Sequence, residues 1–187
     1  STSIGTKGGN VSISGSGKEA YGVHSQSGGN FSITTTSGNV TVSGTGPSFG
    51  IGVLATGATN TIETENGAVS VSGSTKGLYA TSKGSNTITT KSSSLGGAVN
   101  VSGAYAMLAD SLGSNEIETV VGDVTIAGVN SGMSAYIGSN TITTSSGEVS
   151  VTSTSNGIVS GDGVGMKAES SGSNAVTTTS GDVTVSV

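Results

Sequence analysis

The sequence contains no cysteine and no arginine, a single proline, and few aromatic or charged residues. The lack of cysteine excludes a disulfide framework and thiolate metal sites. The lack of arginine, with a net charge of −5, argues against nucleic-acid binding, because neutralising phosphates requires basic patches. No run of 18 apolar residues occurs and no basic stretch precedes an apolar one, so we expect neither a membrane span nor a signal peptide.

Serine, threonine, glycine and valine make up most of the 187 residues, and 33 of them are glycine. Only 9% of the residues are charged, whereas disordered chains usually combine low hydrophobicity with high charge. Alternating β-branched residues with glycine between them favour strands and turns, and no window has helical apolar spacing. The composition therefore predicts an all-β protein.

One stretch, SNTITTSSGEVSV at 139–151, recurs imperfectly along the whole chain. Its other copies lie at 30–42, 60–71, 85–101, 114–126 and 173–185, with a shortened copy at 4–13. A repeat of this length is typical of architectures in which successive turns stack on one another. The chain begins and ends inside a repeat, so we expect a single solenoid segment over 1–187, a fragment of a longer repeat array.

Three landmarks recur in each repeat. The first is the apolar residue of the Ile-Thr-Thr strand: Ile4, Ile33, Ile62, Ile88, Ile117, Ile142 and Val176, at spacings of 25 to 34 residues. The second is the first valine of Val-x-Val: Val11, Val40, Val69, Val99, Val124, Val149 and Val183. The third is a large apolar residue that usually lies between glycine and a variable residue: Val23, Val53, Leu78, Met107, Met133 and Met166.

These spacings predict three short strands in each of about seven turns. The step from the first landmark to the second is 7 residues, except in the turn where 93–96 look like an insertion. The step from the second landmark to the third varies from 8 to 17, which predicts one corner with loops of variable length. The predicted fold is a right-handed parallel β-helix, or β-solenoid, whose core consists of stacked Ile/Thr, Val/Val and Val/Leu/Met/Ala columns.

Asparagine recurs at the head of the first strand: Asn30, Asn60, Asn86, Asn115, Asn140 and Asn174. We interpret these residues as corner positions in left-handed conformation whose side-chain amides form a hydrogen-bonded ladder from turn to turn. The alternative is that they are unconnected turn residues, since asparagine favours turns in any case.

The recurring SNTITT…SGxVSVSG units and the Gly-Φ-x-Ala third strand resemble the passenger segments of autotransporter-type (type V secreted) bacterial surface adhesins. This resemblance implies a secreted or cell-surface rod that takes part in adhesion or self-association. The main rival architecture is a sandwich of hairpins, because ITTTSGNVTV could turn at Ser-Gly. Sandwich strands, however, do not repeat the same residue types at fixed steps.

The third strand carries the most informative surface feature. In a chain with four tyrosines, all four fall on or beside its outward positions. The predicted contact strip consists of Tyr21, His24, Leu54, Tyr79, Tyr105, Leu108 and Tyr136. Ile51 and Ser131 are placed in the same outward column as Tyr21 and Tyr105. Such a strip could stack on sugar rings or on a partner rod. Alternatively, loops of the variable corner cover it, with Phe49 and Ile158 as candidate covers.

No catalytic or metal-binding constellation is predicted. Glu63 and Glu118 occupy equivalent positions two turns apart, but Thr89 fills the turn between them. With His24 as the only histidine and one aspartate in GDGVG at 161–165, no metal or cofactor is expected.

We therefore expect a non-catalytic segment of a bacterial adhesin, secreted or displayed on the cell surface. Its expected partner is a host glycan, a host protein or another copy of itself through the strip or the solenoid ends. The alternatives are a structural spacer or filament subunit and, more remotely, part of a polysaccharide-acting β-helix enzyme.

Overall fold

The computed structural model describes residues 1–26, 28–92, 97–110, 112–154, 164–168 and 172–186. These residues form an all-β parallel solenoid without a helix, which confirms the predicted fold class. The strands are numbered in chain order. Strands of successive turns pair side by side and form two long sheets, in which every pairing is parallel. The right-handed winding stays a prediction.

The first strands of successive turns form a seven-stranded sheet. They are β1 (Thr2–Thr6), β4 (Phe31–Thr35), β7 (Asn60–Thr64), β10 (Asn86–Thr90), β12 (Asn115–Val121), β14 (Asn140–Ser146) and β17 (Asn174–Ser180).

The second and third strands share an 11-stranded sheet. The second strands are β2 (Val11–Ser16), β5 (Val40–Thr45), β8 (Val69–Gly73), β11 (Val99–Ala109), β13 (Val124–Ala135), β15 (Val149–Ser153) and β18 (Val183–Ser186). The separate third strands are β3 (Glu19–Ser25), β6 (Phe49–Thr56), β9 (Lys76–Thr81) and β16 (Val164–Ala168).

The predicted landmarks pair with one another in every turn. Ile33 pairs with Ile4 and Ile62, and the same register continues to Val176. The valines of the second strand and the large apolar residues of the third strand also stay in register throughout. The sequence spacing is therefore confirmed as the repeat unit of the solenoid.

Two details of the predicted turn are corrected. The two end strands of the seven-stranded sheet have a neighbour on one side only, so the solenoid has about five fully enclosed turns instead of seven. In two turns the second and third strands are continuous, as β11 and β13, with a register shift between Gly103 and Tyr105. These turns have steps of 8 and 9 residues between the second and third landmarks. A short step does not by itself merge the strands, because the turn from Val69 to Leu78 also has a step of 9 and keeps β8 and β9 separate.

The core is a set of narrow apolar columns. Ile62, Val69 and Leu78 of one turn are fully buried. They stack on equally buried residues of the next turn, which are Ile88, Val99 and Met107. Burying a side chain of this size stabilises the folded state by about 1.5–3 kcal/mol. The insertion predicted at 93–96 and most of the longest corner loop lie outside the described residues.

Five asparagines form an amide ladder along the first strands, and all of them except the last, Asn174, are buried. The side-chain Nδ2 of Asn60, Asn86, Asn115 and Asn140 each donates to Oδ1 of the next asparagine at 2.8 Å, ending at Asn174. The same Nδ2 also donates to a third-strand carbonyl, such as Leu108 O from Asn86 at 2.9 Å. The ladder therefore links neighbouring turns and also holds the first strand of each of these turns against the third strand of the same turn.

The predicted ladder is wrong at Asn30 and in its backbone conformation. Asn30 is exposed and lies three residues before Ile33, whereas Asn60 lies two before Ile62, so Phe31 occupies the ladder position instead. Asn30 Oδ1 accepts from Thr59 N at 3.2 Å. Among the described residues only Ser82 and Lys83 combine a side chain with positive φ, so the ladder asparagines are strand residues.

Phe31 ends the ladder. It is fully buried and pairs with Asn60, whose Oδ1 is buried and accepts no hydrogen bond among the described residues. All amides of the ladder therefore point the same way. At one end Asn60 Oδ1 accepts no hydrogen bond among the described residues and Asn60 is paired with Phe31, and from there each Nδ2 donates towards β17.

Replacing Asn115 by alanine should lower the free energy of unfolding by about 2–5 kcal/mol. The change removes the donor to Asn140 Oδ1 and to the Ser134 carbonyl and also the acceptor of Asn86 Nδ2, and an unsatisfied buried polar group costs about 1–3 kcal/mol. Asn30→Ala is the matched control and should change stability by no more than about 0.5 kcal/mol, since Asn30 is exposed. Urea unfolding of both variants measures the difference. Equal destabilisation would contradict the energetic role of the ladder.

Candidate contact surface

The strip residues lie in two adjacent columns of the third strands. One column contains His24, Leu54, Tyr79, Leu108, Ser134 and Lys167, paired in register from turn to turn. The other contains Tyr21, Ile51, Lys76, Tyr105, Ser131 and Val164. Tyr136 directly follows β13 on the turn after Leu108. The structure thus gathers the residues of the predicted strip on one side of the solenoid.

The strip is only partly accessible. His24 is exposed, Tyr136 is 52% exposed, and Tyr21, Tyr79, Tyr105 and Leu108 are half-buried. Leu54 is buried, with 8% of its surface exposed.

The expectation that Ile51 and Ser131 point outward is wrong, because both are buried. Their column lies at the bend between the second and third strands. A Cβ placed on Gly44 would come within 2.0 Å of the Ile51 carbonyl oxygen, so the two strands approach closely here. Ile51 and Ser131 each lie two residues before an inward residue, Val53 or Met133, so the period of two along a strand itself places them inward.

The N-terminal end of the strip is an aromatic cluster. The rings of Tyr21 and His24 stack with their centroids 4.6 Å apart, and Phe49 meets Tyr21 edge-on at 6.0 Å. Phe49, one of the predicted covers, therefore packs beside Tyr21. Ile158, the other predicted cover, lies outside the described residues.

The middle of the strip combines an aromatic ring with two charges. Lys76 Nζ lies 3.4 Å above the centre of the Tyr79 ring, and Tyr79 Oη donates a long hydrogen bond of 3.5 Å to Asp110 Oδ2. Burial lowers the pKa of Lys76, while the charge of Asp110 opposes that shift. Burial raises the pKa of Tyr79, and the charge and hydrogen bond of Asp110 raise it further. One face of the Tyr79 ring is thus already covered by a cation.

An exposed apolar residue beside the strip was missed by sequence reasoning. Leu112 is 54% exposed, in the corner between β11 and β12, where Gly113 stacks closely on Gly84 of the preceding turn. Lys83 precedes Gly84 and so holds the place of Leu112 one turn earlier. The sequence could have identified this position. Glycine precedes Ser-Asn in several turns, so the residues before that glycine can be aligned from turn to turn.

Two carboxylates of the first sheet lie two turns apart. Glu63 and Glu118 both pair with Thr89, which separates them by two strand spacings, about 10 Å. Lys91 forms an ion pair with Glu63. Within the described ranges, no group of three or more acidic, histidine or cysteine residues could hold a metal ion, and no pocket is present.

No helix in the described part of the chain has the length and apolar character needed to cross a membrane. No family model, curated protein or solved structure matches the chain.

Replacing Asp110 by asparagine should lower the pKa of Tyr79 but leave it above the ordinary value of 10.0. A nearby negative charge disfavours the tyrosinate, and this charge is lost in the variant, whereas burial, the larger cause, remains. The titration of the Tyr79 ring is followed by NMR with labelled tyrosine, and Tyr79→Phe assigns the signal. An unchanged midpoint in Asp110→Asn would show that the carboxylate does not act on Tyr79.

Proposed function

We propose that this chain is a non-catalytic segment of a bacterial cell-surface adhesin, a secreted rod that makes contacts through its third-strand side. The observation that carries the proposal is the strip itself, which gathers all four tyrosines with His24 and Leu108 on one side, whereas the buried Leu54 offers a partner no surface. The bacterial surface location and the adhesin class rest on the resemblance of the repeat units to autotransporter passengers.

The chemistry of the strip suits shallow recognition of an extended partner. Aromatic rings pack on apolar faces while their hydroxyl groups bond to polar groups, a combination that fits sugars and protein surfaces alike. Because no pocket is found among the described residues, each turn would contribute little binding energy. Affinity would then come from contacts repeated along several turns.

A structural spacer is the second candidate, and the asparagine ladder favours it. The ladder and the buried columns hold the enclosed turns together and require no contact between the surface and a partner. In this role the strip would contact nothing, and the chain would only set the distance between parts of a longer rod or filament. Polysaccharide cleavage is a remote third proposal that would require carboxylates from other turns.

Beads coated with the wild-type chain should adhere to immobilised glycans or host proteins, and Tyr79→Ser/Tyr105→Ser/Leu108→Ser should reduce adhesion by at least about tenfold. The reason is that hot spots at interfaces are concentrated in tyrosine and other large side chains. Bead retention on a glycan array and on a panel of extracellular-matrix proteins measures the effect. A Thr87→Ser/Thr89→Ser/Thr141→Ser variant, altered on the first sheet, is the matched control and should adhere normally.

Circular dichroism checks that both triple variants are folded. If wild-type beads adhere to none of the glycans or proteins, or if the strip variant adheres as well as the wild type, the adhesin proposal is wrong and the spacer gains.

A further inference from the structure

Each turn of the solenoid has a corner between its first and second strands, and a threonine of the first strand lies at the start of that corner. These corner threonines pair in register from turn to turn. Most of them donate a hydrogen bond of 2.8–3.4 Å from Oγ1 to a carbonyl oxygen of the same corner, which restricts the corner backbone. The threonines that make this bond are Thr6, Thr90, Thr119, Thr144 and Thr178.

The corner after Thr64 lacks this bond. Thr64 Oγ1 is buried and has no hydrogen-bond partner among the described residues. The corner itself consists of residues 65–68, which lie between β7 and β8 and belong to neither strand. Because local opening costs least where few bonds hold the backbone, this corner is less restricted than those that keep the threonine bond.

Asn66 and Gly67 lie at the centre of this corner. Asn66 is exposed, and its Nδ2 donates a long hydrogen bond of 3.4 Å to Thr36 O. A Cβ on Gly67 would lie 2.1 Å from the Gly38 carbonyl oxygen and 3.1 Å from Thr64 Oγ1, so the packing requires glycine here. The fold therefore sets directly after Asn66 the one residue without a side chain to shield its backbone nitrogen.

The other asparagines of the described ranges do not combine exposure with a following glycine. Asn86 and its equivalents in the enclosed turns are buried. Asn39 is exposed but precedes Val40, whose stiff β-branched side chain crowds its own backbone nitrogen. The second Asn-Gly pair of the sequence, at 156–157, lies outside the described residues.

We propose that Asn66 is a site of spontaneous deamidation, a covalent modification that needs water and no enzyme. Asparagine is among the thermally labile residues. The backbone nitrogen of Gly67 gives up its proton and attacks Asn66 Cγ, so that a nitrogen–carbon bond forms and the Cγ–Nδ2 bond breaks. The side-chain nitrogen takes up a proton and leaves as ammonia. Water then adds to one of the two carbonyl carbons of the resulting succinimide and opens the ring, and nothing is oxidised or reduced.

The corner also decides between the two products. Ring opening at Cγ gives aspartate and restores the original backbone. Opening at the backbone carbonyl gives isoaspartate, which adds a methylene to the main chain and displaces the Asn66 carbonyl that accepts from Gly38 N at 3.1 Å. The folded chain should therefore give a larger share of aspartate than the same chain unfolded in urea.

Either product changes the charge of the first-sheet side. The net charge becomes one unit more negative than −5. The new carboxylate follows Glu65, whose charge already acts on Lys91. Deamidation would thus make this side of the solenoid more acidic as the molecule ages, whatever the contact strip binds.

Peptide mapping by mass spectrometry tests the proposal on the full chain, incubated at physiological temperature and mildly alkaline pH. Samples taken over time are searched for the small mass increase that accompanies replacement of an amide by a carboxyl group. The increase should appear at Asn66 at least about tenfold faster than at Asn39, because Val40 hinders the same attack there. Asn66→Gln should abolish it at this position, because ring closure from the longer side chain is slower.

Ser146→Asn is the matched control for the missing threonine bond. It sets asparagine before Gly147 in a corner where Thr144 Oγ1 donates to the carbonyl oxygen of residue 146 at 3.2 Å. Deamidation at position 146 should therefore be slower than at Asn66 in the same molecule. Circular dichroism verifies that each variant is folded.

Two results would overturn the proposal. The first is deamidation at Asn66 that is no faster than at Asn39, or that occurs only in urea, since the folded corner would then protect the side chain. The second is an equal rate at Asn66 and at position 146 of Ser146→Asn, which would remove the structural reason for singling out this corner.

Discussion

Each turn of this protein is held in place by parallel backbone pairing with the turns on either side. Because the register never shifts along the first strands, each inward side chain lies on an equivalent residue of the next turn. This stacking makes a chain with 32% hydrophobic residues foldable, since short β-branched side chains fill a narrow core when they stack on their own kind. It also allows an amide into that core, because a buried polar group is tolerated where a partner is guaranteed.

The repeat spacing was sufficient to predict the fold class and the pairing register. Ile62, Val69 and Leu78 could be aligned with their counterparts because the steps between them are nearly constant. The merging of strands within β11 and β13 could not be predicted with the same certainty. A step of 8 or 9 residues between landmarks fits either a tight corner or a bulged strand, and only the backbone path distinguishes the two.

The two local errors have different origins. Asn30 was assigned by residue type, although it lies one position away from the register that places Asn60 beside Asn86. Ile51 was assigned outward although it lies two residues before the inward Val53, and the period of two along a strand places both on the same side. The strip itself was predictable from the register, but the arrangement of Lys76, Tyr79 and Asp110 depends on side chains from two turns and a corner.

The constant position of the ladder asparagines has a consequence for how such a gene can change. The stretch from Asn86 to the residue before Asn115 contains one complete circuit of the chain. Its removal or duplication by recombination would again set asparagine on asparagine, isoleucine on isoleucine and valine on valine. The rod can therefore grow or shrink during evolution by whole circuits, and its length can vary among descendants without a new core being selected.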